Sequence, residues 1–399
     1  QKRRNRTVYE TVKGRRLKYF EKLRKVNEKG RINTMKGNYA VRLADTLMKR
    51  FPMADEYPYK SWSYPQGFML WGMIRLWEKT GEQKYYDYVM AYVDFHVDIR
   101  GNVPRFTGNS MDDMMTGSVL VWALKQTGEP RLLAACENIR KAFEDYPRNE
   151  DGGFWHGRKL TGEMWVDGVF MGQMFLSKYG AYLTDPAESE KCFDETALQL
   201  RSIYRHCRKE GTGLLYHAWS QDKRPSWANQ ETGRSPEIWC EGLGWYALIL
   251  AEALAVFPKE HPEYHALLQQ YLELAESLRQ EQDGELGLWY QLVDKKSEAD
   301  NWCDTSGSAM FLYSLERGIE MGILPSDEYK EAVRKGYEGV VSQMREGSDG
   351  LLDVYNACDG LCVQDGYDIY INYPRKVNAK EAVAACLWAA TAVEFSETV

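Results

Sequence analysis

What this chain lacks narrows its chemistry first. No uninterrupted apolar stretch approaches the roughly 18 residues of a membrane-crossing helix, so no span is expected. Basic residues do not predominate: 51 Lys and Arg stand against 58 Asp and Glu, a formal charge of -7. That balance offers no bulk attraction to nucleic acid or an anionic membrane, and neither is expected as a partner. Histidine is scarce, six in all, and none forms a HExxH pair, so zinc hydrolysis has little support. The serines lack a GxSxG elbow, and neither a phosphate-cradling loop nor a dinucleotide fingerprint is present. No cofactor or metal is therefore expected. The eight cysteines sit mostly in apolar patterns, and Cys358 and Cys362, though close together, have no histidine cluster beside them. They read as free thiols, which favours a reducing, cytoplasmic location. The charged start, Gln1 to Arg6, leads into an ordinary helix pattern and not a signal-peptide core.

Strand signal is also sparse, and what replaces it is a helix-loop rhythm. Gly67–Trp77 is apolar almost throughout and ends at Thr80-Gly81-Glu82; Gly117–Leu124 repeats the pattern and ends at Thr127-Gly128-Glu129. Glycine after an apolar helical run is a stop signal. Comparable segments follow at Gly168–Tyr179, Gly242–Val256, Ser306–Leu315 and Ala382–Val393. Between them lie amphipathic stretches at Lys84–Val97, Arg131–Phe143, Phe193–Cys207, Tyr264–Gln280 and Glu328–Met344. A helix that is apolar all round is buried, whereas one with a polar face meets solvent. Six buried helices alternating with about six outer ones describe an all-α (α/α)6 barrel. A solenoid is the other arrangement that such repeats allow. Length alone permits two or more domains; the continuous rhythm leads us to expect residues 1–399 to form one.

The segments before the buried helices carry the unusual residues. Aromatic and acidic side chains recur there: Trp62 to Gln66, Asn109 to Thr116, Glu163 to Asp167, Ser235 to Glu241, Asn301 to Thr305 and Gln364 to Asp368. A barrel would gather these helix starts at one end, in a cavity of rings and carboxylates suited to a polyhydroxylated ligand. The 13 Trp and 26 Tyr fit both core filling and sugar stacking.

Asp167, set among Met164, Trp165, Val166 and Val169, is either a helix cap or a buried proton donor. Burial of a carboxyl favours its protonated form. Asp112 and Asp113 are adjacent, so a helix turns them apart and at most one is expected to enter the cavity. His156 and His217 lie in aromatic, glycine-bearing loops able to present a side chain to a ligand. Trp239 and Trp245 flank Cys240-Glu241-Gly242-Leu243-Gly244 and offer either stacking faces or core packing. Asp304, Asp365, Asp368 and Arg375 complete the candidates.

These stretches together resemble glycoside hydrolase family 105, the unsaturated rhamnogalacturonyl hydrolases, and more distantly the unsaturated glucuronyl hydrolases of family 88. The resemblance runs from Trp62 to the C-terminal helix. It is most specific at Asn109–Gly117, Gly152–His156, Met164–Met171, Glu237–Tyr246 and Thr305–Phe311. It implies the (α/α)6 barrel and a monomer or weak homodimer acting on oligosaccharides. It also implies hydrolysis of a 4,5-unsaturated uronyl sugar from pectin by protonation at C4 and hydration at C5. Asp167 matches the family's catalytic aspartate and Asp112 its second acid. His156 and His217 match ring-contacting histidines, Trp239 matches a stacking tryptophan, and Trp165 and Trp245 accompany them. One position departs: where the family commonly has arginine, this chain has Glu241. The resemblance then implies an anion near a uronate, with Arg375, Lys376 or Arg234 expected to supply the missing positive charge. Other enzymes of this fold, such as a lyase or an epimerase, and a non-catalytic sugar-binding protein are the alternatives.

Overall fold

The computed structural model describes residues 38–182 and 185–396; the expected domain also takes in residues outside that range. Six inner helices form the staves of a closed ring: α2 (Tyr64–Thr80), α5 (Gly117–Thr127), α7 (Val166–Tyr182), α9 (Cys240–Leu254), α11 (Thr305–Glu320) and α14 (Lys380–Glu394). A single turn, α4 (Asp112–Met115), leads into α5. Six outer helices alternate with them in the chain: α1 (Tyr39–Arg50), α3 (Gln83–His96), α6 (Pro130–Lys141), α8 (Pro186–Cys207), α10 (Tyr264–Glu281) and α12 (Ser326–Ser342). A short α13 (Tyr367–Asn372) precedes the last stave. This is the expected (α/α)6 architecture.

The apolar patterning explains which helices lie inside. Every residue of α9 is buried, and so is all of α7 except its last two positions, whereas α8 and α12 bury one face. The two Thr-Gly-Glu stops work as read: Gly81 and Gly128 adopt φ of 69° and 68° and close α2 and α5. An added Cβ at either glycine would touch nothing, so the left-handed backbone is the whole reason for glycine there. The sixth outer helix, α1, was not among the stretches picked out by pattern. It packs against α14 and helps seal the ring, with the Glu394 carboxylate accepting from the backbone N–H groups of Tyr39 (2.8 Å) and Ala40 (3.0 Å). Trp388 on α14 donates its indole N–H to the carbonyl of Phe68 on α2, closing last stave on first.

Because each inner helix is entered from an outer one, all six run the same way and their N-termini share one end, the mouth. The axis is plugged by rings, with Trp245 against Phe68 (4.7 Å between centroids) and Phe170 (4.9 Å), and Trp388 against Phe68 (5.0 Å) and Tyr313 (4.9 Å). Trp245 is therefore core and not a ligand face.

Strand structure, barely visible in the sequence, ties the mouth loops together. Antiparallel pairs join β1 (Glu163–Trp165) to β2 (Ala218–Ser220), β3 (Trp289–Tyr290) to β4 (Cys303–Asp304), β5 (Met344–Glu346) to β6 (Leu352–Val354), and β7 (Ala357–Cys358) to β8 (Arg375–Lys376). Single bridges add Ser110 to Gly157 and Trp239 to Leu292. β1–β2 and the two single bridges link the loop before one stave to the loop before the next, and the other three pairs brace a loop within itself, so side chains distant in sequence are held in fixed register.

Candidate active site

Two acid–histidine pairs face one another at the mouth. Asp112 opens α4, and its Oδ1 lies 3.7 Å from Nε2 of His156. Its neighbour Asp113 turns away and accepts from Thr107 and from the backbone N–H of Asn109 (3.4 Å), as expected for adjacent helical residues. His156 lies flat on Trp165, centroids 4.3 Å apart with planes at 10°. The Trp165 indole donates to the Glu163 carboxylate (2.9 Å). Gly168 lets His156 approach α7 this closely: a Cβ there would stand 2.6 Å from its Nδ1.

Asp167, in the first turn of α7, places Oδ2 3.1 Å from Nε2 of His217. His217 is fixed through its backbone by Val166 and Glu237. Its Nδ1 lies 2.8 Å from the Tyr370 hydroxyl, which also accepts from the backbone N–H of Gln364 (3.2 Å). The Tyr370 hydroxyl thus holds the ring so that Nε2 faces Asp167. Burial pushes the Asp112 carboxyl up from its ordinary range, His156 pulls it back, and the charges of Asp167 and Asp113 raise it further.

The floor between them is rich in carboxyls. Ser306 has one hydroxyl proton yet stands 2.6 Å from Glu241 Oε2 and 2.6 Å from Asp304 Oδ2. Asp304 caps α11, accepting backbone N–H groups from Gly307 (2.7 Å) and Cys358 (2.8 Å); burial pushes its carboxyl up from the ordinary range and these hydrogen bonds pull it back. The Ser306 hydroxyl is thus the donor shared between the two carboxyls. Burial drives the Glu241 carboxyl well above its usual range, and the charges of Glu381 and Asp304 add to that. Against the anion expected at position 241, burial favours the neutral form of Glu241, although the charge of Lys380 works the other way. Glu381 accepts from Tyr64 (2.6 Å) and pairs with Lys380 (2.7 Å).

Other expectations are corrected too. Arg375 is exposed with its guanidinium 5.0 Å from the Trp302 ring, Lys376 pairs with Asp359, and Arg234 donates to the His206 carbonyl (2.7 Å). Each already has another partner; Lys380 is the cation whose charge acts on Glu241. Trp239 is 1% exposed, enclosed by Leu292, Cys358, Leu361, Tyr370 and Ile371, with its centroid 4.7 Å from His217. It backs the histidine and presents no open face. Among the described residues, Cys136, Cys192, Cys207, Cys240, Cys358, Cys362 and Cys386 are in no disulfide.

The comparisons decide the family. A model of Glycosyl Hydrolase Family 88 matches residues 39–396. The chain belongs to this family. Among solved structures, the chain is similar to a family 105 glycoside hydrolase of C. acetobutylicum. That structure is 28% identical, covers 90% of this chain and 99% of its own, and superposes with a TM-score of 0.83. The unsaturated rhamnogalacturonyl hydrolase of Bacillus subtilis is 24% identical over 83% of this chain and 88% of its own. The unsaturated glucuronyl hydrolase of Bacillus sp. GL1, at 16% identity and a TM-score of 0.62 over 87% of this chain and 93% of its own, shares the fold. This family 88 chain is thus a carbohydrate-active hydrolase of the unsaturated uronyl type on an α/α barrel. Among the described residues no helix is long and apolar enough to cross a membrane, and no cluster of His, Cys, Asp and Glu is arranged to hold a metal.

Sequence reasoning missed Tyr64, Ser306, Tyr370, Lys380 and Glu381. Tyr64 lies within a pre-helix segment already marked, and Tyr370 and Ser306 follow such segments within two residues; each hydroxyl meets a partner far away in sequence, which no local pattern signals.

Proposed function

We propose that this chain removes a 4,5-unsaturated uronic acid from the end of short pectin-derived oligosaccharides, of the unsaturated galacturonyl–rhamnose type. The observation that carries the reading is the pair Asp112–His156 and Asp167–His217 converging at the mouth of the barrel. Six parallel helix N-termini direct partial positive charge at the same place, which favours an anionic sugar. The named activity of the B. subtilis relative points the same way.

In this reading Asp167 delivers a proton to C4, and the double-bond electrons form the new C–H bond. The positive charge left at C5 is shared with the ring oxygen. Water adds at C5 and returns a proton to the Asp167 carboxylate; the hemiketal opens and the neighbouring sugar leaves. Asp112, through His156, orients the water or ring hydroxyls. An enol ether is intrinsically easy to protonate, so one positioned acid replaces the usual carboxylate pair astride the anomeric carbon.

The test follows the ultraviolet absorbance of the unsaturated uronyl chromophore in a rhamnogalacturonan-lyase digest. Decay with the native protein and loss by roughly 10²–10⁴-fold in Asp167→Asn is the expected result. No decay in a digest that a known hydrolase consumes would reject this leaving sugar, and decay on unsaturated glucuronyl compounds alone would reassign it.

A further inference from the structure

The opposite end of the barrel, where the six staves finish, holds charge of the other sign. Glu252 on α9 is fully buried, with Arg75 Nη2 at 2.6 Å, Lys178 Nζ at 2.8 Å and the Tyr313 hydroxyl at 2.5 Å. Burial alone would raise this carboxyl; Arg75, Lys178 and Arg317 together pull it far below its ordinary value. Its oxygens are fully taken by those partners. Arg317 contributes only its field, and its own contact is the exposed Glu320.

Two hollows open beside this cluster, of about 220 and 270 Å³, sharing Arg75, Glu78 and Arg317 as their common wall. Five basic residues line them (Arg75, Lys79, Lys125, Lys178 and Arg317) against Glu78 and Glu320, with Glu252 behind. An excess of two positive charges therefore gathers at one spot of a chain whose formal charge is -7. The Nε groups of Arg75 and Arg317 are buried without acceptors. Burial lowers the Lys178 ammonium; Glu252 raises it, and Arg75 and Arg317 lower it again, a repulsion that another anion would relieve. Aromatic walls complete the larger-mouthed features: Trp71 lies under both Arg75 (5.6 Å) and Lys178 (5.8 Å), and Trp122 and Tyr182 line the first hollow. Helix C-termini attract cations through their dipoles. That accounts for one proton of Lys178, given to the Glu252 carbonyl at 3.0 Å, but not for a basic excess around open space.

We propose that this base is a second ligand site, taking a small organic carboxylate of monosaccharide size. Its carboxylate meets Arg317, Lys125 and the free N–H of Lys178, and its apolar face lies on Trp122 and Trp71. The hollows exceed what a bare inorganic anion fills, and ring walls serve a C–H face, so a sugar acid fits better than phosphate.

Calorimetric titration of the full-length protein with galacturonate, methyl galactoside and inorganic phosphate tests this. Two galacturonate events are expected in the native protein, one at the mouth and one at the base. Arg317→Gln, which leaves the Arg75–Glu252–Lys178 contacts intact, and Lys125→Glu should each weaken one event at least tenfold. Turnover at the mouth should stay unchanged, and methyl galactoside should give no base event. If Arg317→Gln fails to fold, Lys125→Glu carries the test. A single galacturonate event insensitive to both substitutions overturns the proposal. Phosphate binding as tightly as galacturonate at the base also overturns it, leaving a general anion site.

Discussion

The two ends of the barrel bury carboxyls by opposite means. At the base, Glu252 is ionised and clamped by Arg75 and Lys178, with Arg317 adding its field. At the mouth, Asp112 faces an imidazole and Glu241 a serine, and Lys380 is paired to Glu381. Helix dipoles run from mouth to base, so acids at the N-termini and cations at the C-termini each sit where the backbone favours them. The chemical consequence differs. A carboxylate held by cations cannot give up or take a proton near neutrality, whereas acids matched to imidazoles and hydroxyls can. Proton chemistry therefore belongs at the mouth, and the plug of Trp245, Phe68, Phe170 and Trp388 keeps the two electrostatic regimes apart.

Breaking each end should fail in its own way. Asp167→Asn is expected to cut kcat by about 10²–10⁴-fold, roughly 3–5 kcal/mol of barrier. Its melting temperature should stay near the native value, because amide and carboxyl differ little in size. Glu252→Ala should instead destabilise by about 3–5 kcal/mol, since it leaves two cations buried without their counter-charge. Chromophore decay measured well below its melting temperature should still proceed. If the Glu252 variant lost turnover while its melting curve was unchanged, the assignment of structure to the base and chemistry to the mouth would be wrong.

The barrel itself was readable because burial leaves a periodic trace. α9 and α7 are apolar on every side, and Gly81 and Gly128 mark where staves end. α1 buries Ala40, Leu43, Ala44 and Leu47 along one face, but it comes before the first stave, with no earlier apolar run to mark it as part of the repeat. At the mouth, Asp112, Asp167, His156 and His217 stood out as acids and imidazoles in unusual company, and the structure brings all four together. What the sequence does not carry is pairing across loops. Tyr370 reaches His217 over 153 positions, and Ser306 reaches Glu241 over 65. No local pattern encodes such contacts, so the upward push on the Glu241 carboxyl and the support behind His217 emerge only once the staves are assembled. Trp239 shows the same limit: its place beside a glycine-rich turn suggests an open face, but α13 and the loop before it cover the ring.

Tyr370→Phe sharpens the picture of the mouth more gently. It removes the hydroxyl that holds the His217 ring, leaving Nδ1 without a partner. A loss of about 1–1.5 kcal/mol, close to tenfold in kcat, is expected. KM should hold within about twofold, because the tyrosine acts through the histidine and not on substrate. Equal losses in melting temperature and KM would instead mark Tyr370 as packing alone.

The smallest expected effect tests the neutral floor. Glu241 keeps its proton in the folded chain at pH values where an unfolded glutamate has released it. Folded protein then binds more protons than unfolded, so stability falls as pH rises from the ordinary glutamate range toward the raised folded value. Below that range this contribution is fully present. Glutamine cannot titrate and keeps an N–H donor for Ser306, so Glu241→Gln should match the native protein in acid and pass it in thermal stability as pH rises. A difference on the order of 1 kcal/mol, a degree or two in melting temperature, is expected. If the native protein instead gained on the variant with rising pH, Glu241 would be an anion after all, and the mouth would share with the base a charged carboxylate held by a cation, Lys380.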